Sequence, residues 1–90
     1  MLMTNKILIK LIVPDMDADF DVFVPVNEVV WKVKKMLLKC IGDISNNSVN
    51  LNEEFILINK DNSRVYTNNE IVIDTDIRNA SELLFISKKG

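Results

Sequence analysis

Three aspartates at alternate positions are the residues whose spacing most suggests chemistry. Asp15, Asp17 and Asp19 form the pattern D-x-D-x-D, which also begins a calcium-binding EF-hand loop. That loop needs a glycine at its sixth position and a glutamate at its twelfth. Phe20 and Val26 stand there, so the sequence predicts a solvated hairpin turn and no metal site.

The absence of histidine narrows the chemistry further. The chain of 90 residues contains no histidine and one cysteine, Cys40. Without imidazole, serine–histidine and cysteine–histidine nucleophile pairs and imidazole acid–base catalysis are excluded. A lone cysteine among apolar neighbours is more often a packed side chain than a nucleophile, and it forms no disulfide within the chain. We therefore expect that the protein is not an enzyme and binds no cofactor. We also expect it to lie in a reducing compartment, the cytoplasm.

Charge and hydropathy exclude two classes of partner. The net charge is −2, and basic and acidic residues are mixed, so the basic stripe of a nucleic-acid-binding surface is missing. Lys10 interrupts the apolar run near the N-terminus, and no small-residue cleavage site follows it. The sequence predicts neither a signal peptide nor a membrane-spanning helix, and we expect no direct membrane insertion.

Hydrophobic periodicity predicts the secondary structure. A helix is expected from Glu28 to Ile41, where apolar residues recur at helical spacing. Asn27 is its expected N-terminal cap and Gly42 its expected C-terminal cap. The polar residues 43–53 are expected to form a loop. Alternating or strongly apolar runs predict strands at residues 6–13, 20–24, 55–58, 64–67 and 82–87.

The composition of the last strand decides the expected sheet order. The run ELLFIS, residues 82–87, is too apolar for an exposed edge, so it is predicted to lie centrally beside KILIKLIV, residues 6–13. The helix supplies the long crossover that parallel neighbours require. The predicted fold class is α+β: a mixed, four- to five-stranded β-grasp sheet with one helix packed across one face. We expect a single domain over residues 1–90, with its core at about residues 6–87.

Several short segments carry a resemblance to ubiquitin-like proteins. IRNASELLFI, residues 77–86, resembles the end of such a domain, where an isoleucine, a polar turn with serine and an alternating strand follow in that order. Val33-Lys34-Lys35 stands on the helix as a Val-Lys pair does in ubiquitin, and Val24-Pro25 precedes the helix. The chain most resembles the small bacterial YukD/EsaB family. That resemblance implies a non-catalytic, cytoplasmic accessory factor of type VII (ESX-like) secretion that acts by binding a protein partner.

Two other functions stay open. PB1 domains are β-grasp modules that self-associate by pairing an acidic loop with a lysine on the first strand of another copy. Asp74 and Asp76 would form that loop here and Lys10 would be the lysine, which leaves a homo-oligomer open. Sulfur carriers and conjugated modifiers need a flexible tail ending in Gly-Gly. The end of this sequence, Lys88-Lys89-Gly90, disfavours that alternative.

The candidate binding surface is the face of the sheet turned away from the helix. Because strand side chains alternate, one set faces the helix: Ile7, Ile9, Leu11, Val13, Phe20, Val22, Val24, Leu83 and Phe85. The opposite set is expected to form a contiguous patch that binds a partner, since soluble monomers rarely expose one: Leu8, Ile12, Phe23, Ile58, Leu84 and Ile86. Trp31 and Leu38, at the border of the apolar stripe of the helix, form a second candidate surface, with packing at the core rim as the equal alternative.

Overall fold

Four strands and one helix make up the part of the chain that the computed structural model describes, residues 5–45 and 53–88. In chain order these elements are β1 (Lys6–Val13), β2 (Ala18–Pro25), α1 (Val30–Ser45), β3 (Phe55–Asn59) and β4 (Glu82–Ser87). Two 3-10 turns, Pro14–Met16 and Val72–Asp74, lie in the connections.

The strands form a mixed sheet in the order β2-β1-β4-β3. β1 runs antiparallel to β2 and parallel to β4, with Leu11 paired to Leu83, and β4 runs antiparallel to β3. The strand β4 therefore lies inside the sheet with a neighbour on each side. This is the predicted β-grasp arrangement, and the parallel pairing of the first and last strands is confirmed.

The helix begins later than its hydrophobic pattern predicted, because its first amides bond to a distant loop. The Val30 N–H donates to the Glu70 carbonyl at 2.8 Å, and the Trp31 N–H donates to the Asn68 carbonyl at 3.2 Å. The first amides of a helix have no partner within the helix and need such acceptors. Asn27 lies three residues before the first helical residue, so it does not occupy the cap position and its prediction as the cap was wrong.

The helix also ends later than predicted. It continues through Gly42 to Ser45, so Gly42 is not its C-terminal cap. The first residues of the predicted polar loop are therefore helical, and residues 46–52 of that loop lie outside the described part of the chain.

Residues 64–67, predicted as a strand, make only an isolated bridge to β3. The Tyr66 N–H donates to the Leu57 carbonyl at 3.0 Å, and the Asn59 N–H donates to the Arg64 carbonyl at 2.8 Å. The segment satisfies backbone groups on the outer edge of β3 without becoming a regular strand.

The inward side chains of the sheet and the apolar stripe of the helix form the core. The predicted inward set is buried or partly buried throughout, and the rings of Phe55 and Phe85 stack at a centroid distance of 4.4 Å. Fully burying one such side chain contributes about 1.5–3 kcal/mol. From the helix, the core receives Val30, Val33, Leu37, Leu38 and Ile41.

Candidate functional site

The outer face of the sheet carries a group of aliphatic side chains, called here the aliphatic cluster: Ile12, Ile56, Ile58, Leu84 and Ile86. Leu84 lies between Ile12 of β1 and Ile58 of β3 in register, and Ile86 pairs with Ile56. Paired residues on one face of a sheet have Cβ atoms about 4.5–5.5 Å apart, so these side chains form one continuous surface. Each of them is partly exposed, whereas the alternate residues of β4 are buried in the core.

A row of charged residues borders the aliphatic cluster. Lys10 pairs in register with Asp21 on β2 and with Glu82 on β4. The Lys60 Nζ lies 3.1 Å from the Glu82 Oε1 and extends the row past β4. The charges alternate in sign from strand to strand, and each opposite-charge pair of this kind contributes about 0.2–1 kcal/mol.

This charged row divides the contiguous patch that the sequence predicted. Leu8 and Phe23 pair with each other on one side of the row, and they are 39% and 63% exposed. Ile12 lies on the other side, because Lys10 stands between it and Leu8 on the same face. The predicted patch did not include Ile56. Alternation within FILI, residues 55–58, places Ile56 on the same face as Ile58, because Leu57 between them faces inward.

The second predicted surface is only half exposed. Trp31 is 41% exposed, but Leu38 is 3% exposed and belongs to the core. Leu38 also lines a groove of about 150 Å³ together with Trp31, Lys34 and Phe55. The Lys34 Nζ donates to the Asn68 Oδ1 at 2.8 Å, and burial, followed by the charge of Lys88, lowers the pKa of Lys34.

A buried tyrosine organises the polar residues near the end of β3. We call this group the Tyr66 clamp: Asn59, Asn62, Arg64, Tyr66 and Asp76. The Tyr66 hydroxyl donates to the Asp76 Oδ1 at 2.5 Å and accepts from the Asn59 Nδ2 at 3.1 Å. The Asn62 Nδ2 donates to the Asp76 Oδ2 at 2.8 Å, and the Arg64 guanidinium lies 5.2 Å from the Tyr66 ring centroid.

The surroundings of Tyr66 and Asp76 in the Tyr66 clamp shift their two pKa values in opposite directions. The bond from Tyr66, and then the bond from Asn62, lower the pKa of Asp76. Burial, and then the bond to Asp76, raise the pKa of Tyr66 to about 12. The clamp therefore favours a charged aspartate and a neutral tyrosine across the neutral pH range.

The acidic and basic residues of the PB1-like alternative have different surroundings. Lys10 is exposed within the charged row of the outer face, and Asp74 is exposed on its 3-10 turn. Both carboxylate oxygens of Asp76 accept hydrogen bonds from the Tyr66 clamp. Asn79 also makes a hydrogen bond within its own chain, since its Oδ1 accepts from the Leu8 N–H at 2.8 Å. Asp76 thus serves the fold of its own chain.

The aspartates of the D-x-D-x-D pattern do not converge on one point. Asp15 accepts a hydrogen bond from the Ser87 N–H at 3.2 Å, and Asp17 takes the left-handed conformation that turns the hairpin. Asp19 lies on β2. Within residues 5–45 and 53–88, no group of three or more acidic or cysteine side chains could hold a metal ion.

In the same part of the chain, no helix has the length and apolar character needed to cross a membrane.

Comparison with known proteins shows the fold but no family. Neither protein-family models nor curated proteins match this sequence. Among solved structures, the N-terminal ubiquitin-like domain of the 4931431F19Rik protein matches with a TM-score of 0.73 at 16% identity, over 96% of this chain and 78% of that chain. The ubiquitin-like domain of Plasmodium falciparum Dsk2 matches with a TM-score of 0.68 at 13% identity, over 92% of this chain and 99% of that chain. The chain therefore has the ubiquitin-like β-grasp fold.

A further similar structure is a chain of the MycP5-free ESX-5 inner membrane complex. It matches with a TM-score of 0.71 at 11% identity over 92% of this chain. The matched region spans 21% of that chain, so the likeness concerns one domain of a larger protein.

Proposed function

We propose that this chain is a non-catalytic, ubiquitin-like accessory protein that acts in the bacterial cytoplasm by binding a component of a type VII secretion system. The aliphatic cluster is the observation that carries the proposal. Five aliphatic side chains on the face opposite the helix remain partly exposed, and a bordering charged row gives that surface a defined limit. A surface of this composition is typical of a protein-binding site.

The choice of a secretion component draws support from two sources. The sequence resembles the YukD/EsaB family in its hydrophobic pattern, and a chain of an ESX-5 membrane complex contains a domain of the same fold. We therefore take the partner to be the cytosolic part of a type VII membrane component.

Phe23 is the proposed peripheral contact of the same partner. Its side chain is 63% exposed and pairs with Leu8 across the charged row from the aliphatic cluster. Aromatic side chains are enriched at binding hot spots, whereas an exposed phenylalanine contributes little to folding stability.

A pull-down with two matched variants tests the proposal. Leu84→Asp places a charge in the middle of the aliphatic cluster, while Ile73→Asp makes the same kind of change at a residue that is 59% exposed on a 3-10 turn outside the sheet. We expect both variants to keep the far-ultraviolet circular dichroism spectrum of the wild type. Only Leu84→Asp should lose capture of the cytosolic domain of the membrane component. Equal capture by the wild type and Leu84→Asp would contradict the proposal.

A further inference from the structure

The outer edge of β2 directs unpaired backbone groups away from the sheet. The Val26 N–H donates to the Asn5 carbonyl at 2.8 Å, one residue beyond the last β1–β2 pair. In an antiparallel pair only every second residue bonds across the strands, so the bonded residues of β2 are Phe20, Val22 and Val24. The N–H and carbonyl groups of the alternate residues point to the free edge: Asp19, Asp21 and Phe23. Within the described residues, none of these groups bonds to another element.

Side chains along this edge specify the chemistry of a neighbouring strand. Asp19, Asp21 and Phe23 lie on the outer face, and the partly buried Phe20 and Val22 face inward. In the charged row, Lys10 on β1 already lies opposite Asp21 on β2. If the charges continue to alternate in sign, a strand added beyond β2 should place a basic residue opposite Asp21. A basic residue opposite each aspartate and apolar residues opposite the other positions would continue the pairing pattern of the sheet.

A second copy of β2 does not meet this requirement. Antiparallel pairing of two copies centred on Asp21 would place that carboxylate opposite itself, and like charges opposite each other destabilise a strand pair. Charged edge residues of this kind are a common protection against self-association. The edge thus selects against its own copy and in favour of a strand of opposite charge.

We propose that the edge of β2 binds an extended, basic segment of a partner protein as an additional antiparallel strand. Read from the residue opposite Phe23 to the residue opposite Asp19, the segment has the order apolar, apolar, basic, apolar, basic. Backbone hydrogen bonds would supply affinity and the two basic residues would supply specificity, as in other strand-addition complexes. The site lies apart from the aliphatic cluster, shares only Phe23 with the surface proposed for the secretion partner, and does not depend on the proposed secretion role.

A designed peptide tests this site directly. The peptide TVIKVKT has the predicted order, and TVIEVET reverses its charges. In amide NMR spectra of the whole protein, TVIKVKT should shift the signals of Asp19, Asp21 and Phe23, and TVIEVET should not. The double variant Asp19→Lys/Asp21→Lys should bind TVIKVKT about tenfold more weakly and should gain binding of TVIEVET.

The control variant Asp61→Lys changes a charge at an exposed residue in the turn after β3, at the opposite edge of the sheet from β2. It should bind TVIKVKT as the wild type does. The absence of signal shifts along β2, or equal binding of TVIKVKT by the wild type and the double variant, would overturn the proposal.

Discussion

The two edges of the sheet are protected in different ways. On β3, residues 64–66 occupy backbone groups of Leu57 and Asn59, and the Tyr66 clamp holds that segment in place. None of the described residues covers the outer edge of β2. Two aspartates and Pro25 line that edge instead. Covering an edge and charging it are both known protections against strand pairing between molecules. The covered edge is part of the folded core, whereas the charged edge remains accessible to a partner.

The largest difference between the two edges should appear when the centre of the Tyr66 clamp is removed. Tyr66 is 1% exposed, so Tyr66→Ala should lower the free energy of unfolding by about 3–5 kcal/mol. The matched variant Phe23→Ala removes an aromatic residue that is 63% exposed, and it should change stability by at most about 0.5 kcal/mol. Urea unfolding measures both. Similar losses in the two variants would mean that the two edges do not differ in their contribution to folding.

A smaller, pH-dependent effect should follow from removing only the Tyr66 hydroxyl. Tyr66→Phe leaves the Asn59 amide and the Asp76 carboxylate with one hydrogen bond fewer, which should cost about 1–2 kcal/mol at neutral pH. The pKa of Asp76 is lowered from 3.8, so its stabilising contribution is present above pH 3.8 and is lost as the pH falls through the lower value in the folded protein. The pKa of Tyr66 is raised from 10.0 to about 12, so its contribution is present below pH 10.0 and is lost as the pH rises toward 12.

Urea midpoints of the wild type and Tyr66→Phe across this pH range measure the effect. The difference between them should be greatest between about pH 4 and pH 10 and should narrow on either side. A difference that stays constant with pH would show that the hydroxyl does not couple the titrations of Tyr66 and Asp76.

Hydrogen exchange should distinguish the two edges residue by residue. Of the expected effects on stability, this one is the smallest. The amides of Asp19, Asp21 and Phe23 should exchange quickly because they have no acceptor among the described residues. On the other edge, the amides of Asn59 and Tyr66 should be protected, and Tyr66→Phe should accelerate only this second group. Equal protection along all of β2 would contradict the open edge.

The sequence predicted the parts of the fold that follow from local periodicity. Alternation in KILIKLIV and ELLFIS correctly assigned the inner and outer residues of β1 and β4, since a one-residue error would have reversed both faces. Apolar content alone placed ELLFIS inside the sheet. These predictions needed no knowledge of distant contacts.

Features that depend on pairing between distant segments were not predictable in this way. The start of the helix depends on carbonyls of Asn68 and Glu70, which follow it by almost 40 residues in the chain. Division of the outer face depends on the register that brings Lys10 opposite Asp21 and Glu82. Alternation identifies the face on which a side chain lies, but the neighbours of that side chain are set by the register.

An NMR titration tests the central claim, binding through the aliphatic cluster, most directly. The isotope-labelled protein would be titrated with the cytosolic domain of a type VII membrane component from the same organism. We predict that the largest methyl shifts occur at Ile12, Ile58 and Leu84, and that Ile73 does not shift. Binding without shifts in the aliphatic cluster, or with shifts confined to the groove beside Trp31, would contradict the account.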